Sequence, residues 1–131
     1  MSNKTTISRT SIHLAAAIVG CITLVGTWLA KLDVIGGAGA TTMGILFVVS
    51  AVAMFVTRNA DEYVVALWRA GANAAFLALL ATYIFAPFAE GFYDGLSGGE
   101  SHMDTPIDLA PTLAFSAFFL AHSWARLRGT F

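Results

Sequence analysis

Apolar residues fill most of four long segments of this chain, with short polar breaks between them. The segments span about 11–32, 39–57, 64–89 and 107–126. A helix needs about 20 predominantly apolar residues to cross a bilayer, and each segment is close to that length. The pattern therefore predicts an all-α fold, an integral membrane bundle of four transmembrane helices in a single membrane domain over residues 1–131.

The first break is short and has a clear structural meaning. It follows the end of the first segment, where Lys31 lies, and contains Asp33 and the pair Gly36-Gly37. Because this break is too short for the chain to return to the other end of the first helix, we expect the first two helices to form an antiparallel hairpin.

A capping signature marks the start of the third helix. Asn59 can accept a hydrogen bond from the free backbone amides, and Glu62, three residues later, can reach back toward it. We expect this helix to run from about 60 to about 88. A long outer loop, about 90–104, follows it.

A second capping signature opens the fourth segment. Thr105 stands before Pro106, and a proline at the first helical position loses an amide that would be unbonded in any case. Pro111 lies further along and is expected either to bend this helix or to delay its start.

Composition agrees with a membrane protein and excludes other classes. Hydrophobic residues make up 57% of the chain and charged residues 11%, whereas a soluble domain carries about 25% charged residues. The formal net charge is -1, and the basic residues are dispersed, so no nucleic-acid partner is expected. Cys21 is the single cysteine and cannot form an internal disulfide.

The basic residues also predict an orientation, because Lys and Arg are retained on the cytoplasmic side of membrane helices. In the four-helix arrangement Lys31 falls alone on one side, and the other six basic residues fall on the opposite side. These six are Lys4, Arg9, Arg58, Arg69, Arg126 and Arg128. We therefore expect a multi-pass protein of the inner (plasma) membrane with both termini cytoplasmic.

Small residues recur at every fourth position along the third segment. They are Ala66, Ala70, Ala74, Ala78, Thr82 and Ala86. Such a stripe lets another helix approach closely, which favours association inside a bilayer. Two interpretations stay open: ordinary packing within one chain, or an interface for a second copy or a larger membrane complex.

Three polar residues follow one face of the same segment: Glu62, Arg69 and Asn73. Polar groups within a bilayer usually face the protein interior, so we expect Asn73 to form a hydrogen bond to another helix. Arg69 can extend toward the lipid headgroups. The alternative is a polar vestibule for an ion or a small solute.

Two histidines form a second polar candidate site. His13 lies near the start of the first segment and His122 near the end of the fourth, so both fall in the same leaflet. Imidazoles on facing helices can ligate a haem iron or another metal. Both positions are also close to the interface, where a solvated or hydrogen-bonded histidine is the simpler expectation.

The outer loop holds a third candidate group, Glu100, His102 and Asp104, whose residue types can bind a divalent cation. Its spacing matches no calcium loop that we can identify. A solvated acidic loop is the simpler interpretation, because acidic residues collect outside when basic residues are held inside.

No motif in the chain indicates catalysis, and the sequence contains neither a phosphate-binding glycine loop nor zinc-spaced ligands. We therefore expect a non-enzymatic protein without a cofactor, in contact with the lipid bilayer. Its expected role is that of an accessory, assembly or scaffold subunit of a homo-oligomer or larger membrane complex. The alternatives are a small channel or transporter component near Arg69 and Asn73, and a haem-binding redox anchor through His13 and His122.

Overall fold

The computed structural model describes residues 8–98 and 107–129, and all regular structure in these two ranges is helical. The four helices are α1 (Arg9–Lys31), α2 (Gly37–Thr57), α3 (Glu62–Ser97) and α4 (Ala110–Arg128). A short 3-10 turn, Ile107–Leu109, leads into α4. The predicted all-helical fold with four helices is therefore confirmed for the described residues.

Three of these helices, α1, α2 and α3, are long and apolar enough to cross a membrane. Large apolar side chains cover their outer surfaces; Ile22 is 63% exposed, Val56 73% and Phe88 73%. Soluble monomers rarely expose such continuous apolar surface, so the surface is compatible with a membrane location. Helix α4 carries more polar residues, and its crossing of the membrane stays a prediction.

The first two helices form the expected hairpin. Ser8 caps α1 by accepting a hydrogen bond from the Ser11 amide at 3.1 Å. After Lys31 the chain turns through Asp33, whose φ of 57° lies in the left-handed region, and α2 begins at Gly37. Inside the hairpin, the Ser50 hydroxyl donates to the Ala16 carbonyl oxygen at 2.6 Å.

The cap of α3 differs from the expected one. Asp61, and not Asn59, occupies the capping position, and its carboxylate accepts a hydrogen bond from the Val64 amide at 2.7 Å. The reason is a turn after α2, in which the Ala60 amide donates to the Thr57 carbonyl oxygen at 3.0 Å. This turn includes Asn59, and the helix begins at Glu62.

Helix α3 also continues beyond its expected end near 88, so the prediction that the outer loop begins at about 90 is wrong. A wide π turn, Ala81–Phe85, interrupts the α-helical hydrogen bonding just before Pro87. Since proline has no amide hydrogen to donate, a wider turn lets the helix pass it without ending. The helix then stops at Gly98, which has a φ of 76° and suits a left-handed terminus.

Two aromatic side chains of α4 occupy the centre of the bundle. Phe118 packs against Gly71 of α3 and Phe119 against Gly20 of α1, and a β-carbon at either glycine would overlap the ring. Met54 of α2 is 1% exposed beside them. Helix α4 therefore contacts both sides of the bundle, which places its last turns against the start of α1 and the end of α2.

A proline also shapes the start of α4. Pro111 lies in the first two positions of α4, after the 3-10 turn. Of the two expected effects, the delayed start is the one observed. Thr105 and Pro106, the predicted cap, lie outside the described residues.

Candidate functional site: a buried histidine pair

Three helix ends meet around His13 and His122. His13 lies near the start of α1, His122 near the end of α4, and Thr57 is the last residue of α2. The histidines are 0% and 1% exposed. The solvated environment offered by the sequence analysis is therefore wrong, and the hydrogen-bonded alternative describes both residues.

The hydrogen bonds fix which ring nitrogen carries each proton. Thr57 Oγ1 donates to the Ala53 carbonyl oxygen at 2.7 Å, so the same oxygen accepts from His13 Nδ1–H at 3.0 Å. His13 Nε2 then has no hydrogen and accepts from His122 Nε2–H at 3.3 Å. Since a neutral imidazole carries one N–H, the two rings adopt opposite tautomers.

Apolar and aromatic groups enclose this pair. The Phe118 ring stacks on His122 with the ring centroids 5.9 Å apart and an interplanar angle of 22°. The two imidazoles contact each other with centroids 5.5 Å apart. In such low-dielectric surroundings a hydrogen bond is stronger than it is in water. An imidazole that is buried there without its partner raises the free energy of the folded state.

The geometry of the pair does not fit a haem. Two axial bonds of about 2 Å each would place the ligating nitrogens about 4 Å apart, on opposite faces of a wide planar ring. Here the Nε2 atoms bond to each other at 3.3 Å, with Phe118 packed against one imidazole. Within the described residues, no group of three His, Cys, Asp or Glu side chains could hold a metal ion. The arrangement instead supplies a buried, oriented link between α1 and α4.

A second polar link lies at the same end of the bundle, one turn before His13 on α1. The Thr10 hydroxyl of α1 donates to the Asp61 carboxylate at the start of α3. This hydrogen bond, followed by that of the Val64 amide, lowers the pKa of the Asp61 carboxyl below its usual value. Asp61 is fully exposed, so water screens this interaction and the link is weaker than the buried pair.

Further hydrogen bonds join α1 and α4 on the other side of the histidines. Trp28 Nε1 donates to Ser116 Oγ at 3.0 Å, and Ser116 donates in turn to the Thr112 carbonyl oxygen at 2.7 Å. Cys21 Sγ lies 3.9 Å from Ser123 Oγ. Thr57, Trp28 and Ser116 were not predicted from the sequence as hydrogen-bond partners. The available signal was the presence of polar residues at matching depths of antiparallel helices.

The three polar residues of α3 do not form an enclosed site within the chain. Glu62, Arg69 and Asn73 are all exposed on its outer surface. Glu62 and Arg69 border an open depression of about 560 Å³ that does not include Asn73. The expectation that Asn73 faces the interior of this chain is therefore wrong, because the glycine face of α3 takes up the contact with α4.

The small-residue stripe is half-buried at all six of its positions. Ala78 lies seven residues after Gly71 and thus on nearly the same face, toward α4. Ala66 lies seven residues before Asn73 and shares its outward face. The stripe therefore turns gradually around α3, from the outer surface toward α4. The close contact with Phe118 is made by Gly71, which is not part of the stripe.

The candidate cation ligands of the outer loop, Glu100, His102 and Asp104, lie outside the described residues. Comparison of the chain with protein-family models, with curated proteins and with solved structures gives no match. Any proposal about function therefore depends on the arrangement of this chain's own residues. Two features are unusual for a bundle of such apolar helices: the buried pair of His13 and His122, and the outward Asn73.

Proposed function

We propose that the chain is a non-enzymatic accessory, assembly or scaffold subunit of a homo-oligomer or larger membrane complex. In this proposal it crosses the inner (plasma) membrane four times, with both termini cytoplasmic. The apolar outer surfaces of α1, α2 and α3 support a location in lipid. The bias of six basic residues to one side supports the orientation.

The observation that carries the assembly role is the outward position of Asn73. It lies two residues after Gly71, which contacts Phe118 near the midpoint of α4. Asn73 therefore lies close to the middle of the bundle, and in the proposed four-span arrangement this is the depth of the hydrocarbon. It makes no hydrogen bond with another described residue.

An amide group exposed to hydrocarbon is costly. Burying such a group without a partner costs about 1–3 kcal/mol on the scale of protein mutational data. Lipid chains offer no hydrogen bonds, so a second polypeptide is the partner that removes this cost. Asparagine side chains are known to join membrane helices in this way.

The surface around Asn73 suits a close helix contact. Ala66 shares its face, and Ala70 lies one turn before Ala74 at the edge of that face, so small side chains flank the amide. An amide has both donors and an acceptor and can therefore pair with a copy of itself across a two-fold axis. These features support a second copy of the chain as one partner of this face.

The test is the mass of the purified protein in mild detergent, measured by light scattering. The proposal predicts a defined assembly heavier than the 13.8 kDa chain, and Asn73→Leu should shift it to the monomer. Thr42→Leu is the matched control, because Thr42 is also exposed but donates to the Ala38 carbonyl oxygen of its own helix at 2.8 Å. A wild-type monomer, or an assembly that Asn73→Leu leaves intact, would contradict the proposal.

A further inference from the structure

A groove runs between α1 and α4 on the outer surface of the bundle. Two open pockets of about 160 Å³ and about 300 Å³ form it, and both are lined by Cys21 and Ser123. Arg126 lines the first pocket, and Trp28 and Ser116 line the second. The two pockets are therefore continuous, and we call them together the α1–α4 groove.

The length of the α1–α4 groove matches one leaflet of a bilayer. Its lining on α1 extends from Ala17 to Trp28. At about 1.5 Å per residue this is about 16 Å. The hydrocarbon core of a bilayer is about 30 Å thick, so the groove spans about half of it. One acyl chain of a lipid in that leaflet has the matching length.

The sides of the groove suit an acyl chain. Ile22 and Val25 on α1 and Leu120 on α4 are 63%, 59% and 71% exposed. The polar groups that line the groove pair between the two helices. Cys21 Sγ contacts Ser123 Oγ, and Trp28 Nε1 donates to Ser116 Oγ. An apolar chain can therefore lie against the rims without leaving these groups unpaired.

Charge is found at one end of the groove only. Arg126 lies one turn beyond His122 near the end of α4 and makes no ion pair with a described residue. No carboxylate lines either pocket among the residues that the structure describes. The end of the groove that approaches the membrane surface is thus positive and unneutralised, which favours an anion there.

We infer that the α1–α4 groove binds one anionic phospholipid, with its headgroup phosphate at Arg126 and one acyl chain extending past Cys21 toward Trp28. The net negative headgroup is held by the guanidinium at the membrane surface. This inference requires the membrane location but not the assembly through Asn73, which lies on a different helix.

The test is native mass spectrometry of the delipidated full chain in detergent. The protein is titrated with phosphatidylglycerol or with phosphatidylcholine carrying the same acyl chains. We expect one phosphatidylglycerol to bind about fivefold more tightly, the effect of one cation near an anionic lipid. Arg126→Gln should abolish the preference. Arg128→Gln is the matched control, because Arg128 packs on the Trp124 ring at 4.6 Å and does not line the groove.

A second measurement locates the acyl chain. In the variant Trp68→Phe/Trp124→Phe, Trp28 is the sole tryptophan of the three in the chain. Phosphatidylglycerol brominated on its acyl chains should quench Trp28 fluorescence more than brominated phosphatidylcholine does. Equal binding of the two lipids, equal quenching, or an equal effect of Arg126→Gln and Arg128→Gln would overturn the inference.

Discussion

His13 and His122 are 109 residues apart in the chain, yet their Nε2 atoms form a hydrogen bond of 3.3 Å. One belongs to the first helix and the other to the last. The bond therefore links the hairpin of α1 and α2 to α4, which packs along α3. Its burial makes it a structural link whose removal can be measured.

A double-mutant cycle tests this link. His13→Leu and His122→Leu should each lower the free energy of unfolding by about 1–3 kcal/mol, because each leaves the other imidazole buried without its partner. The double variant should lose less free energy of unfolding than the two single variants together, since no imidazole remains without its partner. Unfolding by SDS titration in detergent micelles measures all three values.

The control for the cycle is Thr41→Val. Thr41 is exposed and donates only within its own helix, to the Gly37 carbonyl oxygen at 3.3 Å, so its effect should stay within about 0.5 kcal/mol. Strictly additive effects of the two histidine substitutions would show that the rings do not interact.

The Thr10–Asp61 hydrogen bond should make the free energy of unfolding depend on pH in the acidic range. The folded state holds the pKa of Asp61 below its unfolded value, first through Thr10 and then through the Val64 amide. The stabilisation is present above the unfolded pKa and is lost as the pH falls through the folded pKa, below about pH 4. Carbon-13 NMR of the Asp61 carboxyl should show this low pKa, and Thr10→Val should raise it.

Asp61→Asn is the matched variant for this prediction. Asparagine can also cap a helix, so α3 should still form, but the stability change below about pH 4 should disappear. An Asp61 pKa that Thr10→Val leaves unchanged would be inconsistent with the hydrogen bond.

Substitution of glycine by alanine should have opposite effects on stability at Gly20 and at Gly44. A β-carbon at Gly20 would overlap the Phe119 ring and Ser50 Oγ, whereas nothing lies within 4 Å of one at Gly44. Gly20→Ala should therefore destabilise the protein by about 1–3 kcal/mol. Gly44→Ala should stabilise it by about 0.5–1 kcal/mol, because alanine loses less entropy in a helix. Thermal unfolding of the two variants in the same detergent compares them directly.

The long apolar segments were predictable because helix length and hydropathy are local properties. The bounds of α1 and α2 agree with the sequence within a few residues. The cap at Asp61 and the passage of α3 beyond Pro87 were not predictable in this way. The cap depends on the hydrogen-bonded turn after Thr57, which competes with a cap at Asn59. The passage beyond Pro87 depends on the π turn Ala81–Phe85, which competes with an end of the helix near residue 88.

The candidate site was predictable only in part, for a different physical reason. That His13 and His122 lie at the same end of the bundle follows from the order of the helices, but their burial depends on how α4 rotates about its axis. The aromatic contacts of Phe118 and Phe119 with Gly71 and Gly20 set that rotation. The same contacts turn Asn73 outward, which a hydropathy pattern alone does not reveal.

The proposed four crossings place both ends of the chain on one side of the membrane. Reporter fusions after Arg128 and before Ser8 should therefore give the same cytoplasmic signal, and one inserted after Ser97 the opposite signal. A fusion after Arg128 on the outer side, together with one before Ser8 on the cytoplasmic side, would show that α4 does not cross, leaving three spans. Outer signals from both termini would contradict the predicted orientation.

Photo-crosslinking in intact membranes tests the assembly role most directly, with benzoylphenylalanine in place of Leu77. Leu77 lies one turn after Asn73 and is 64% exposed, so the probe samples the same face and leaves the amide in place. We predict a covalent adduct with a polypeptide, and the adduct should have a defined mass, twice that of the chain if the partner is a second copy. The same probe at Val56, which is 73% exposed on α2, should capture no polypeptide. If position 77 gives no more protein adduct than position 56, then the Asn73 face contacts lipid and the assembly role is wrong.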